Sequence, residues 1–198
     1  MKIILIILFI IWVYIVSVLM RAKLYFFKFL IGSVGAFFFL LVFLQQYVIG
    51  VLTTSLTAVC GVIGDLTGYF KAYYEYALIF ISTADSSVSM YIDYECSGVI
   101  EIFAFAALLW FFPLYNVLEK IMYNIIGVLW IFMANVLRVL IICVIVHHYG
   151  DSMFYFAHTI FGRIVFYVLS IILYFYVFTK SQIKRQKVGN VSYEYASK

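Results

Sequence analysis

Charge and proline are what this chain lacks. Of its 198 residues 11% are charged and one, Pro113, is a proline, whereas a soluble domain carries about 25% charged residues. So little charge cannot hold a globule in water, which excludes a soluble domain and leaves the bilayer as solvent. Cysteine is scarce as well: Cys60, Cys96 and Cys143 are too few and too scattered for a disulfide framework or a zinc-ligand spacing. The short alternating strands of an outer-membrane barrel are missing, although β-branched and aromatic residues are plentiful. No internal repeat or low-complexity linker divides the chain, so one integral membrane domain is expected over 1–198. No metal, no cofactor and no nucleic-acid partner are expected.

What the chain has is long apolar runs, 67% of it being hydrophobic. Runs of eighteen or more apolar residues match the length needed to cross a core of roughly 30 Å. The fold class is therefore all-α, a polytopic transmembrane helical bundle. Residues 3–20 form the first run, followed by Arg21, Lys23 and Lys28. The second, 29–50, carries Gly32, Ser33, Gly35 and Ala36, a small-residue patch suited to close helix contact. Further spans are read at 99–114, ended by Pro113, at 125–146 and at 159–178. Residues 51–93 contain apolar runs too short to cross, interleaved with Asp65, Lys71, Glu75, Asp85 and Asp93 and five tyrosines, with Tyr94 just after. They are read as an interfacial or re-entrant segment on the outer face.

Charge sets the topology. The basic loop between Arg21 and Lys28 and the tail over 179–198, with Lys180, Lys184, Arg185 and Lys187, belong together on the cytoplasmic side. An even number of crossings must separate them. Five spans in all satisfy this and seven are the reserve. The N-terminus then lies outside and the C-terminus in the cytoplasm of a multi-pass plasma-membrane protein. Cys96, His147, His148 and His158 all fall near the outer face.

Three groups carry the chemistry. Cys96, in Tyr94-Glu95-Cys96-Ser97-Gly98, stands where the most polar stretch meets an apolar run. A thiol at the start of a helix feels the positive end of the macrodipole, which favours the thiolate, while Asp93 and Glu95 oppose it. Arg138 lies inside a span, roughly 12 Å deep at 1.5 Å per residue. There a charge costs about 2.5–3.5 kcal/mol on insertion scales. Its structural alternative is a pair with Glu101. Asn135, three residues earlier on the same face, is placed to orient it or to hold the neighbouring helix. His158 precedes the last span and Gly162 follows it by one turn. Cys60 and Cys143 are read as inert, Cys143 facing mid-membrane hydrocarbon, His147 and His148 as a solvated turn, and Arg163 as snorkelling to headgroups. A nucleophilic Cys, a His for proton transfer and an Arg for a developing oxyanion make a coherent acyl-transfer site.

At these residues the chain resembles the exosortase/archaeosortase family of prokaryotic membrane cysteine transpeptidases and proteases. That family shows C-S-G, then N-x-x-R in a later span, then a His or Arg opening the last conserved span. Here Cys96-Ser97-Gly98, Asn135-Val136-Leu137-Arg138 and His158-Thr159-Ile160-Phe161-Gly162 occur in that order, within a family-like core of about 94–178. The exosortase G subgroup of Gram-positive bacteria is the nearest in type. The resemblance implies Cys96 as nucleophile, Arg138 as stabiliser of the substrate carbonyl and His158 as acid/base. It implies substrates that are secreted proteins with a C-terminal motif, apolar helix and basic cluster, cut at the outer face. The chain departs from the larger members in its short N-terminal half and in Glu95, where Ala is common. Two rivals come from other classes: a small transporter using Arg138 and His158, and an accessory subunit of an envelope polysaccharide glycosyltransferase. Besides the secreted substrates, membrane lipid and such a glycosyltransferase are the partners considered.

Overall fold

Apolar runs with almost no interrupting charge fold as the sequence dictates, into long helices that satisfy every backbone group internally. The computed structural model describes residues 2–83 and 87–183. Asp85 and the tail residues Lys184, Arg185 and Lys187 lie outside the described residues, as does the side chain of Glu95. The elements are helices α1 (Lys2–Arg21), α2 (Tyr25–Thr67), α3 (Tyr94–Ser97), α4 (Val99–Phe111), α5 (Val117–Tyr149) and α6 (Gly162–Tyr174). Strands β1 (Phe70–Tyr73), β2 (Leu78–Ser82) and β3 (Ser87–Tyr91) stand between α2 and α3. Two π-helical turns, Phe156–Phe161 and Phe175–Thr179, flank α6. Among the described residues four helical stretches are long and apolar enough to cross a membrane, and α4 is a shorter apolar helix. The protein is a polytopic helical membrane protein.

Residues 51–64 depart from the sequence reading. They are not a separate segment but continue α2, which runs unbroken for 43 residues. At 1.5 Å per residue that is roughly 65 Å, about twice the thickness of an apolar layer. No proline breaks it, and it ends only where Gly68 takes a left-handed conformation (φ 73°) and closes on Gly64 O. Residues 70–91 are the second departure: a three-stranded antiparallel sheet of order β1-β2-β3. Its register pairs Phe70 with Ile81 and Leu78 with Tyr91. Phe70, Ile79, Ile81 and Met90 turn inward and pack on Leu56 and Cys60 of α2 and on Val139, Ile142, Cys143 and Val146 of α5. Tyr73, Phe80, Ser89 and Tyr91 face outward. Of the tyrosines in this region, Tyr73 and Tyr91 occupy the outer face of the sheet, Tyr74 and Tyr76 lie in the 3-10 turn between β1 and β2, and Tyr69 stacks on His147.

The small-residue patch of α2 is used as its composition suggests. A Cβ on Gly32 would collide with the Phe111 ring and one on Gly35 with Trp12. Trp12 in turn donates its indole N–H to Ile31 O at 3.0 Å. At the same end Phe29 meets Phe112 and Phe112 meets Phe178 edge-on, and the Tyr115 hydroxyl bonds Val177 O and Ser181 Oγ. The loop after α1, the turn at Pro113 and the end of the last helix therefore gather at one end of the bundle. The sheet, Cys96 and His147 gather at the other. His147 is half-buried there: its Nδ1 bonds Ser82 O and its ring stacks on Tyr69. It clamps the sheet to α5 instead of facing solvent.

Candidate active site

Cys96 does not open the span. It is the third residue of one-turn α3, and the chain then reverses through Gly98, at φ 76°, before α4 begins at Val99. Asp93 caps that turn, its Oδ1 accepting the Cys96 backbone N–H at 3.1 Å. The Asp93 carboxylate, expected only to oppose the thiolate, thus has a local structural task. Ser97 Oγ donates to Tyr94 O at 2.8 Å and accepts the Val99 N–H at 3.3 Å, joining the two helices. Since α4 is 13 residues long, about 20 Å, it is roughly 10 Å short of a full apolar crossing. The Cys96 turn is correspondingly recessed, with the sheet over it.

Three remote segments meet there. Cys96 Sγ lies 3.2 Å from His158 Nε2 and 3.7 Å from Arg138 Nη2. Cys96 is 6% exposed and Arg138 5%, so the contacts are made out of bulk water. His158 belongs to the π-helical turn and stacks face to face on Phe154, ring centroids 5.6 Å apart at 13°. One extra residue in that turn swings the imidazole toward α3, and such turns recur at functional sites. Gly162 closes it by donating its N–H to Ala157 O. A Cβ there would lie 3.0 Å from that oxygen and 3.1 Å from Ile142 Cδ1, both tighter than ordinary contact.

Arg138 sits one turn from Asn135 on α5, and the two do different work. Asn135, fully buried, donates from Nδ2 to Cys96 O at 2.5 Å and fixes the cysteine backbone. Arg138 turns its Nη2 to the sulfur while its Cζ stands 5.9 Å over the Phe166 ring. Its Nε is buried with no hydrogen-bond partner among the described residues. Glu101, the alternative partner for Arg138, lines the same cavity of about 170 Å³ together with Arg163, Phe166 and Tyr167.

All three chemistry-bearing residues named from the sequence are thus in one place, with Asn135, Ser97, Gly98 and Gly162 beneath them and Glu101 alongside. Cys60 and Cys143 are packed in the core below the sheet, fully buried, so Cys143 does not face the hydrocarbon. Arg163, expected to snorkel to headgroups, lines the cavity beside Arg138 and Glu101. Sequence reasoning missed Asp93 as a cap, although Asp three residues before a helical N–H is a recognisable signal. It also missed Phe154, for which the spacing to His158 (i, i+4) was the available clue. Among the described residues no group of three His, Cys, Asp or Glu is arranged to hold a metal.

Residues 1–176 of the chain match the family model described as transmembrane exosortase (Exosortase_EpsH). No curated protein and no solved structure matches it.

Proposed function

The chain belongs to the transmembrane exosortase family, and from that premise we propose that it is a cysteine transpeptidase or peptidase acting on C-terminal sorting signals of secreted proteins at the outer membrane face. The observation that carries this reading is the position of one sulfur between an imidazole and a guanidinium, at 3.2 and 3.7 Å, away from bulk water.

The chemistry follows from those positions. His158 Nε2 takes the Cys96 proton, and the sulfur attacks the scissile carbonyl carbon, forming the C–S bond. The carbonyl oxygen becomes an oxyanion, which the Arg138 guanidinium stabilises in a low-dielectric pocket where such a contact is worth most. Collapse breaks the C–N bond, the proton on His158 goes to the departing amine, and the apolar-plus-basic tail leaves. The thioester on Cys96 is then taken by an acceptor amine or by water, whose proton returns through His158, regenerating the thiol. Asn135 holds the Cys96 carbonyl fixed throughout, and Arg138, propped on Phe166, cannot swing away.

The test is a reporter carrying the apolar-plus-basic tail of a secreted protein from the same genome, co-expressed with this chain. Wild type removes the tail and Cys96→Ala, inserted to the same level, does not. Equal tail removal by both, for every such tail in the genome, overturns the proposal. A transporter reading draws on one observation, the cavity shared by Glu101, Arg138 and Arg163. It predicts that Cys96→Ala keeps full function.

A further inference from the structure

The sheet over the site has an edge that its neighbours do not use. In the order β1-β2-β3, β1 is backed by α2, where Gly61 and Gly64 approach Ala72 and Phe70. Strand β3 pairs with β2 alone. The Ile92 N–H donates to Ala77 O, and with the continuous register this makes Ile92, Met90 and Val88 the residues bonded to β2. The backbone N–H and C=O groups of Ser87, Ser89 and Tyr91 therefore point off the free edge. No backbone bond to them appears among the described residues. Edge strands are usually guarded by Lys, Pro or a bulge. Ser87-Val88-Ser89-Met90-Tyr91 has none of these, and its pairing is regular.

That edge leads straight to the nucleophile. Strand β3 ends at Tyr91, Ile92 is buried, Asp93 caps α3, and Cys96 follows. Met90 shares its core cluster with Cys96. A polypeptide extended along β3 in the same sense would therefore run toward the turn that carries the sulfur.

We propose that the free edge of β3 is the substrate-binding strand: the extended segment of the secreted protein just upstream of the scissile bond adds to it as a fourth strand. This rests on the proposed function. The occupant is a peptide because a main-chain ladder recognises backbone and tolerates varied side chains. Its C-terminal apolar helix lies in the membrane, so the segment approaches Cys96 in the same sense as β3 and adds in parallel. Ser89, with both its groups outward, sits at the centre of the ladder.

Proline tests this without disturbing β2. A proline at position 89 removes only an outward N–H, the one place a strand tolerates it. Ser89→Pro is expected to slow tail removal from the reporter at least tenfold. Labelling of Cys96 by a small thiol reagent is unchanged in it. On the reporter side, a proline moved one residue at a time through the six positions upstream of the cut should inhibit with a period of two. Wild-type processing by Ser89→Pro, or inhibition without that period, overturns the proposal. If Ser89→Pro also alters Cys96 labelling, the reporter series decides alone. Ready crosslinking of Ser89→Cys into a dimer with processing intact would give the edge to a second copy and refute the assignment. Should Cys96→Ala process normally, the proposed function itself fails, a different result from Cys96→Ala being dead while Ser89→Pro is active.

Discussion

Replacing Gly98 with alanine should damage the site far more than the fold. Gly98 holds φ 76° between α3 and α4, where an L side chain costs roughly 1–2 kcal/mol. The added Cβ would lie 3.3 Å from Asn135 Nδ2 and 3.7 Å from Ile131 Cγ2. The nearer contact must open by a few tenths of an ångström, and Asn135 can give way only by moving the amide that holds Cys96 O at 2.5 Å. The expected stability loss is thus about 1–2 kcal/mol, a modest part of a domain's total. The positional error at the sulfur is the larger consequence, because misplacement approaching 1 Å can cost about a hundredfold in rate. Tail removal from the reporter should fall tenfold to a hundredfold, while protease resistance in detergent stays near that of wild type. Gly98→Asn separates the causes, since asparagine tolerates the left-handed conformation but keeps the Cβ crowding. It should be nearly as slow as Gly98→Ala and more stable. Wild-type processing by Gly98→Ala would refute the argument that the Asn135 contact sets the position of the Cys96 sulfur.

Other outcomes follow from the same geometry. Arg138→Lys keeps the charge but loses the planar fork and the ring contact with Phe166; processing should drop at least tenfold, and Arg138→Met should insert as well as wild type yet process nothing. Phe154→Ala removes the face of the His158 stack and should slow processing severalfold without changing the yield of inserted protein. Cys60→Ala and Cys143→Ala, in the packed core, should each lower thermal stability by about 1–2 kcal/mol while leaving processing intact. Loss of activity in either would call for a second thiol in the reaction.

The helical class and the three residues that meet at Cys96 could be read from residue order because both rest on local facts. Span length and charge density are properties of a stretch. Cys96, Asn135, Arg138 and His158 were conspicuous because each is costly or reactive where it stands. The sheet was hidden for a physical reason: Phe70 to Tyr91 alternates over strands of only four or five residues, and Asp and Tyr between them mimic an interfacial loop. The continuity of α2 was hidden by Thr53, Thr54, Ser55 and Thr57, which weaken the apolar signal. Thr53 and Thr57 return their hydroxyls to carbonyls one turn back, so the helix continues. The π-helical turn at His158 has no sequence signature, since it depends on how Phe154 and Ile142 pack around it.

Helix α2 is also a rod of set length. It rises without a break from the turn after α1 to the strands beside Cys96, so the distance between the Cys96 sulfur and the far end of the bundle is a fixed dimension of the protein. A client whose apolar helix is one turn longer presents its chain 5.4 Å higher, and a thicker bilayer shifts the same alignment. On the proposed function the protein would select its bond by metric as well as by chemistry, as a gauge for anchors of matching span.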